Sequence, residues 1–409
     1  MGALIGDGHG NLYGTTSAGG SSKCTGGCGV VFKLSWPPTP GGAWTETVLH
    51  TFQGGTGGRT PLSGLIFDAD GALYGTTAQG GGSTQCTNGC GTVFKLTPPP
   101  AGGTKWTMTI LHRFSGLYGA VAPLGGVVMD SAGALYGTTG RYPAPVASTC
   151  LDGPCGTVYK LTPPAGGSGH WALQILHKFK GKTTDGSLPL GTLISDETGA
   201  LFGVTGLGGS THCFGFGCGT VFKLTPPTAG QTAWSERVIY AFQGGAGLGG
   251  TELGYPDSDL TADADGNLYG MANVGPAGGC TLGCGGVFKL TPPAVEPGTW
   301  TESVIYAFKG GTDGASPASG RLALAKTGAI YGTTQVGGSA SDGTIFRLSP
   351  KASGAWPEAV VHSFTGDNTD GSAPQGGLVR LPSGYYGTTS KGGASNLGTV
   401  FRMSAGAGE

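Results

Sequence analysis

Leu12-Tyr13-Gly14-Thr15-Thr16 is the stretch that decides the fold, because close copies of it recur along the whole chain. The copies occupy residues 73–77, 135–139, 201–205, 268–272, 330–334 and 385–389. Their aromatic residues stand at positions 13, 74, 136, 202, 269, 331 and 386, so consecutive copies are 55 to 67 residues apart. A fixed period of this length is typical of a repeat architecture and leaves each unit enough chain for four short strands with their loops.

The first six units contain the same four apolar segments, which we name strands a to d, and the seventh contains the first three. Strand a is apolar on both faces and ends at a tight turn such as Asp68-Ala69-Asp70-Gly71, and the stretch quoted above is strand b. A glycine-rich loop leads to strand c, which reads Val31-Phe32-Lys33-Leu34 in the first copy. A proline-rich loop then leads to strand d, which opens with a tryptophan such as Trp106. Helical periodicity is absent, and short apolar runs between glycine and proline turns indicate strands.

The repeated unit predicts an all-β fold: a seven-bladed β-propeller of four-stranded antiparallel blades. One blade cannot bury both of its faces alone, so it packs against its neighbours, and we expect strand a nearest the axis. We expect a single domain over residues 1–409, with blades at approximately 1–55, 56–117, 118–182, 183–245, 246–311, 312–367 and 368–409. Strand d occurs only six times, so the last blade is expected to have three strands. A parallel β-helix is the competing fold, but its repeat is normally shorter.

The composition excludes several classes of function. Glycine accounts for 86 and proline for 26 of the 409 residues, charged residues make up only 11%, and the net charge is −1. Nucleic-acid binding needs a basic patch that neutralises phosphates, and the sequence has none. No apolar run approaches the ~20 residues of a membrane-spanning helix. We therefore expect no nucleic-acid partner and no membrane span, and no motif calls for a cofactor.

Ten cysteines fall into five closely spaced pairs, each in the loop between strands b and c of one of the first five blades. The pairs are Cys24/Cys28, Cys86/Cys90, Cys150/Cys155, Cys213/Cys218 and Cys280/Cys284. Zinc needs about four ligands and a pair supplies two, so we favour local disulfides over metal sites. Each disulfide closes a short loop and contributes about 2 kcal/mol. Because disulfides persist in oxidising compartments, the pairs predict an extracellular or periplasmic protein.

The units Asp-x-x-Gly-x-Leu-Tyr-Gly-Thr-Thr and Gly-Thr-Val-Phe-Lys-Leu-Thr-Pro resemble the GloVer (Gloeo_Verruco) tandem repeat of bacterial exported proteins. The resemblance covers nearly the whole chain, because both halves of the unit recur in register. It implies export and often an anchored parent protein, but no settled biochemical activity and no catalytic residue. The segment Gly-Leu-Ile-x-Asp followed by Gly-x-Leu-Tyr is also similar to NHL-type propeller repeats, which supports strand a as the innermost strand.

Polar residues that recur once per blade are interpreted as structural. A strand-d position holds His50, His112, His177 and His362, with tyrosine in blades four and five. The aspartates that follow strand a open β-turns and hydrogen-bond their own backbone. The loops between strands d and a repeat Thr-Asp-Gly at Asp185, Asp313 and Asp370, where turn formation is favoured over calcium binding.

A functional site in a repeat protein is best sought where one copy breaks the pattern. Blade five breaks it most, because the residues after its loop proline carry carboxylates in place of the usual small or apolar side chains. The candidate catalytic residues are Asp257, Asp259 and Glu252. The candidate ligand-binding residues, which include a second pattern break in blade three, are Tyr255, Arg141, Tyr142, Tyr118 and Asn273. We expect the loops that hold them to emerge on one common face.

Two functions remain open at this point. The first is an exported binding or scaffold domain, with a glycan as the favoured ligand. The alternative is a secreted polysaccharide-active enzyme, a glycoside hydrolase or a lyase, because paired carboxylates can act as acid and base on a glycosidic bond. No serine nucleophile elbow, P-loop or zinc-protease motif is present. We expect a monomer whose partner is a polysaccharide or another extracellular ligand.

Overall fold

The computed structural model describes residues 2–37, 39, 42–116, 121–140, 155–167, 169–244, 252–276 and 279–404. Within these ranges the chain forms seven antiparallel sheets, and its only helical segments are two short 3-10 turns, Gly55–Gly57 and Gly311–Asp313. The sheets are the blades of a seven-bladed β-propeller, which confirms the predicted fold class. None of the described segments is a helix that could cross a membrane.

The chain divides into two compact units. The first comprises Met1–Phe179, Leu188–Ser195 and Pro227–Trp234. The second comprises Lys180–Ser187, Asp196–Pro226 and Ser235–Glu409. Blades one to three belong to the first unit, and blades five to seven belong to the second.

The strands are short and follow the sequence units closely. Those of the first three blades are β1 (Ile5–Gly6), β2 (Leu12–Thr16), β3 (Val30–Ser35), β4 (Thr45–Thr51), β5 (Ile66–Phe67), β6 (Leu73–Thr77), β7 (Thr92–Thr97), β8 (Thr107–Arg113), β9 (Val128–Met129), β10 (Leu135–Thr139), β11 (Thr157–Thr162) and β12 (Ala172–Lys178). Those of blades four and five are β13 (Gly186–Pro189), β14 (Ile194–Ser195), β15 (Leu201–Gly208), β16 (Thr220–Thr225), β17 (Ser235–Ala241), β18 (Gly254–Pro256), β19 (Thr261–Ala262), β20 (Leu268–Val274), β21 (Gly286–Thr291) and β22 (Thr301–Ala307). Those of blades six and seven are β23 (Ala315–Pro317), β24 (Ala323–Leu324), β25 (Ile330–Val336), β26 (Thr344–Leu348), β27 (Glu358–Ser363), β28 (Gly371–Pro374), β29 (Val379–Leu381), β30 (Gly384–Gly392) and β31 (Val400–Met403).

The seventh blade has strands a, b and c only. Its strand a is split into β28 and β29, which both pair with β30, and β31 pairs with the other edge of β30. Up to residue 404, where the described part of the chain ends, this blade has no strand d. The expectation of a three-stranded last blade is therefore confirmed.

Strand a of blade five is also split into two segments. Both β18 and β19 pair with β20, with Pro256 opposite Ala272 and Thr261 opposite Tyr269. Residues 257–260 lie between the two segments, outside regular strand structure. The carboxylates expected at the start of the innermost strand therefore lie in an interruption within it.

Phenylalanine side chains join consecutive blades. The phenylalanine that ends strand d is fully buried and meets the aromatic ring of strand c in the next blade edge-on. The ring centroids are 5.1 to 5.3 Å apart in Phe52–Phe94, Phe114–Tyr159, Phe242–Phe288, Phe308–Phe346 and Phe364–Phe401. Each buried ring contributes about 1.5–3 kcal/mol. This sideways contact is why a thin sheet rich in glycine can have a stable core.

Four of the five predicted disulfides are present: Cys24–Cys28, Cys86–Cys90, Cys213–Cys218 and Cys280–Cys284. Cys150 lies outside the described residues. Each disulfide closes a small b–c loop, as the sequence spacing predicted.

A backbone hydrogen bond ties the b–c loop of each of the first six blades to the start of strand a in the next blade. At the junction of blades four and five, the Tyr255 N–H donates to the Cys218 carbonyl at 2.7 Å. The same bond recurs in the pairs Thr60–Cys28, Ala122–Cys90, Leu188–Cys155, Ser316–Cys284 and Ala373–Asp342. The donor always precedes a proline and has a positive φ, which is 54° at Tyr255. A residue before proline normally adopts an extended conformation, so these junctions hold a strained backbone through their surrounding contacts.

Candidate functional site

The polar residues that follow strand a form a structural network in blades one, two, three and five. In blade two, the Tyr74 hydroxyl donates to Asp68 Oδ2 at 3.0 Å, and Lys95 Nζ lies 3.1 Å from the same oxygen. Burial of Asp68 favours its neutral form, but hydrogen bonds from Ala72 and Lys95 outweigh burial and lower the pKa of the carboxyl. The equivalent tyrosine–aspartate bond recurs in blades one, three and five. This repetition marks the network as part of the blade and not as a binding site.

Glu252, one of the candidate catalytic residues, belongs to a second repeated network. Its Oε2 accepts a hydrogen bond from the Tyr240 hydroxyl at 3.0 Å. In the next two blades the strand-d side chains Tyr306 and His362 bond in the same way to the loop aspartates at 313 and 370. Glu252 thus anchors the loop between strands d and a, and it is not in hydrogen-bond contact with Asp257.

Glu302, a residue that sequence reasoning missed, lies beside this pair. Burial and the negative charge of Glu252 raise the pKa of the Glu302 carboxyl to about 7. Blade six repeats the arrangement, because burial and the charge of Asp313 raise the pKa of Glu358 to about 7. The recurrence of this arrangement in blades five and six favours a structural role for Glu302 and Glu358.

Asp257, Asn273 and Ser319 form the polar cluster that has no counterpart in the other blades. Asp257 Oδ2 accepts two hydrogen bonds, one from Asn273 Nδ2 at 2.6 Å and one from Ser319 Oγ at 2.8 Å. Asp257 lies in the interruption of strand a, Asn273 lies in β20, and Ser319 lies at the equivalent interruption of blade six. Backbone contact fixes this junction, because the Asp259 N–H donates to the Ser319 carbonyl at 3.3 Å.

Two oxygens of this cluster are buried without a donor. Asp257 Oδ1 and Asn273 Oδ1 are both inaccessible to solvent and accept no hydrogen bond. Burial raises the pKa of Asp257 to about 6, although Ser319 and Asn273 oppose that shift. A buried acceptor without a donor is destabilising by about 1–3 kcal/mol, so such atoms call for an explanation.

The sequence pattern shows why the cluster arises in blade five alone. The position of Asp257 is filled in the other described blades by Leu62, Leu124, Leu190, Ala318 and Gln375. The position of Asn273 is filled by Ser17, Ala78, Gly140, Gly206, Gln335 and Ser390. Without the amide of Asn273, the Asp257 carboxylate would keep only the Ser319 hydroxyl as a side-chain donor. The two exceptions therefore act together.

The other candidate residues have different surroundings. Tyr255 is half-buried and lies two residues before Asp257, and its backbone makes the junction bond to the disulfide loop. Ser258 faces the core, where its hydroxyl accepts from the Met271 N–H at 2.7 Å. Arg141, Tyr142 and Tyr118 lie outside the described residues.

The free oxygens of Asp257 and Asn273 define what the cluster can do chemically. Two neighbouring acceptors match a ligand that presents two donors, such as adjacent hydroxyl groups. Calcium prefers six to eight oxygen ligands, and these two side chains supply too few for a dedicated site. A carboxyl with a pKa near 6 could also give or take a proton.

The comparisons with known proteins establish the class of this chain. It belongs to the Gloeobacter/Verrucomicrobia repeat family, whose profile matches residues 1–211 and 255–409. A comparison with curated protein sequences gave no match.

Among solved structures, the chain is similar to PorZ, a surface component of the type-IX secretion system of Porphyromonas gingivalis. That match has a TM-score of 0.52 and 15% identity, and it covers 98% of this chain but only 46% of PorZ. The chain is also similar to an ulvan lyase of polysaccharide lyase family PL25, with a TM-score of 0.57, 9% identity, and coverage of 98% of this chain and 91% of the lyase. At these identities the likeness shows the fold alone.

Proposed function

We propose that this protein is an exported β-propeller that binds a glycan at the cluster of Asp257, Asn273 and Ser319. The observation that carries the proposal is the pair of buried oxygens, Asp257 Oδ1 and Asn273 Oδ1, that accept no hydrogen bond from the described residues. Because both oxygens are inaccessible to solvent in the free protein, a sugar reaches them when the exposed Ser319 side chain moves aside, and two adjacent sugar hydroxyls then donate one hydrogen bond to each. A bound ligand would then remove the destabilisation that these atoms cause in the free protein.

The charge of the site favours a neutral sugar. The pKa of Asp257 is set by burial, the Ser319 hydroxyl, the Asn273 amide and its own backbone N–H, none of which carries a charge. A uronic acid or a sulfated sugar would bring a second negative charge to a poorly solvated carboxylate, and like charges repel strongly in such surroundings. We therefore propose neutral glycans as the ligand class.

Export is supported by the disulfides and by the family. The four local disulfides are stable in an oxidising compartment and rare in the cytosol. A glycan is a ligand that an exported domain would meet, so location and site agree.

The test is a binding assay against glucose, mannose, xylose and their linear tetrasaccharides by isothermal titration calorimetry at pH 7.5. Asp257→Asn and Asn273→Ala should each weaken binding at least about tenfold, because a hydrogen bond to a charged group contributes about 1.5–3 kcal/mol. Asp265→Asn, in an exposed turn of the same blade, is the matched control and should bind like the wild type. Wild-type affinity in both cluster variants would remove this site from consideration.

Polysaccharide cleavage is the second candidate function. One observation favours it: a carboxyl with a pKa of about 6 is well placed to transfer a proton near neutral pH. Release of reducing ends or of unsaturated products from a polysaccharide panel, abolished by Asp257→Asn, would establish this activity. Binding without product release would leave the recognition role alone.

A further inference from the structure

Phe214 is the most exposed aromatic side chain of the described chain, with 72% of its surface accessible. It lies in the Cys213–Cys218 disulfide loop of blade four, where Cys213 and Phe214 both have a positive φ, 53° and 60°. Two successive left-handed non-glycine residues are unfavourable, and an exposed ring adds nothing to the core. Folding alone therefore gives no reason for this ring to be held in solvent.

The loop that presents Phe214 is held firmly. The disulfide joins its two ends, and the Gly217 N–H donates to the His212 carbonyl at 3.1 Å. The Gly208 N–H also donates to the Phe216 carbonyl at 2.9 Å. A ring fixed in this way loses little conformational freedom on binding, which is what an anchor residue needs.

The same loop is in direct contact with the segment that leads to Asp257. The Cys218 carbonyl accepts from the Tyr255 N–H at 2.7 Å, and Asp257 follows two residues later. The loop that carries the exposed ring therefore contacts the strand segment that leads to the unsatisfied acceptors, and both belong to the second unit.

We propose that Phe214 forms a second subsite that stacks on a sugar ring of the glycan held at Asp257, which makes the ligand an oligosaccharide and not a monosaccharide. This inference rests on the function proposed above. A flat ring suits the apolar face of a pyranose, and aromatic side chains supply a large contact area at low conformational cost.

The surroundings of Phe214 favour a sugar over a protein partner. The ring is flanked by the exposed residues His212 and Gly215, and the only other aromatic residue of this loop, Phe216, is half-buried, so the exposed apolar surface is that of one short loop. Protein interfaces need a much larger continuous area. The corresponding residues of the other three described disulfide loops are Thr25, Thr87 and Thr281, so none of these loops repeats the ring. It lies in residues 212–254, which the family repeat does not match.

The experiment compares tetrasaccharide and monosaccharide binding by calorimetry, with cellotetraose and glucose, mannotetraose and mannose, and xylotetraose and xylose as probes. Phe214→Ala should weaken tetrasaccharide binding about threefold to tenfold and leave monosaccharide binding unchanged. Phe214→Trp should bind the tetrasaccharide at least as tightly as the wild type. Leu397→Ala, at an 82% exposed loop tip of blade seven, is the matched control and should have no effect.

The disulfide offers an independent test of the same subsite. The double variant Cys213→Ser/Cys218→Ser should lose the additional affinity for the tetrasaccharide and keep monosaccharide binding, because the ring is no longer held in place. Circular dichroism would check that the sheets remain folded.

Failure of the subsite and failure of the proposed function give different results. Unchanged tetrasaccharide affinity in Phe214→Ala, or full affinity in Phe214→Leu, would overturn the stacking subsite and leave the cluster at Asp257 standing. Unchanged binding in Asp257→Asn would overturn the proposed function. Absence of binding to every probe would overturn both.

Discussion

The buried carboxyl of Asp257 should make the wild-type protein less stable than a variant with a neutral side chain at this position. Its pKa is about 6 in the folded protein against 3.8 for an ordinary aspartate. The difference corresponds to about 3 kcal/mol at neutral pH. Asp257→Asn removes the charge and keeps an oxygen that can accept from Asn273 and Ser319. We therefore expect this variant to be about 1–3 kcal/mol more stable than the wild type at pH 7.5.

The difference in the free energy of unfolding between Asp257→Asn and the wild type should depend on pH. Folding raises the pKa of Asp257, so the folded state binds the proton more tightly than the unfolded state does. The wild-type protein therefore loses stability as pH rises through the window from about 4 to about 6, and the loss levels off above it. Between pH 4.5 and pH 7.5 the advantage of Asp257→Asn should grow by about 2 kcal/mol.

Urea denaturation of both proteins at pH 4.5 and pH 7.5, without ligand, measures this quantity. Other titrating groups are common to both proteins and cancel in the difference. Asp265→Asn, which removes an exposed carboxylate from the same blade, should change stability little at either pH. The reasoning is refuted if Asp257→Asn is no more stable than the wild type at pH 7.5, or if its advantage is the same at both pH values. Greater stability combined with weaker glycan binding would mark the position as one kept for its ligand.

Three further predictions concern the framework around the site. Glu302→Gln should raise the urea midpoint at pH 8 and not at pH 4.5. Burial and the charge of Glu252 raise the pKa of Glu302 to about 7, so the wild-type protein loses stability as pH rises through the range below that value. Replacing both cysteines of the Cys280–Cys284 disulfide by serine should lower the free energy of unfolding by about 2 kcal/mol, measured by urea denaturation, and a loss below 0.5 kcal/mol would contradict the loop-closure estimate. Gly219→Ala should have a melting temperature well below that of Gly215→Ala. Both glycines have a positive φ, so both substitutions strain the backbone. A Cβ at position 219 would also lie 2.4 Å from a strand-b carbonyl oxygen, whereas a Cβ at position 215 would meet nothing within 4 Å.

The fold was predictable because the same strand pattern recurs seven times in the sequence. Strands b and c lie where the recurring Leu-Tyr-Gly-Thr-Thr and Val-Phe-Lys-Leu segments predicted them. Strand a differs in blades four to seven, where it forms two segments with an interruption between them that the apolar pattern did not predict. The disulfides were predictable from spacing alone, since a pair that close in sequence can hardly avoid meeting in a hairpin loop.

The candidate site was predictable only in part. Asp257 and Asn273 stand out because they break the repeat, and the structure joins them by a hydrogen bond. Ser319 gave no signal, because Ser63 fills the same position in blade two and bonds within its own blade. Its role at the cluster comes from the contact between blades five and six, which one unit of sequence cannot reveal.

Glu252 also looked like a break in the pattern, but it is the blade-five version of a repeated loop carboxylate. Alignment on the loop prolines would have shown this, because Glu252, Asp313 and Asp370 each stand four residues before a proline. A longer side chain and a loop of different length hide the equivalence. Glu302 could not be found in this way, since it reaches Tyr240 and Glu252 only when two strands d from different blades come together.

The repeat architecture also explains how a destabilising cluster can persist in this chain. In a propeller the core is assembled from many similar contacts between neighbouring sheets, such as Phe242–Phe288 and Phe308–Phe346 on either side of blade five. Each buried ring of this kind contributes about as much as the charge of Asp257 removes. Blade five keeps both of these contacts. Asp257 and Asn273 therefore destabilise the protein only locally, at the interruption of strand a, and leave the packing between blades intact. A binding site can therefore arise in one blade of a repeated scaffold at a local cost, and the place to look for it is where buried polar atoms lack the partners that the other blades provide.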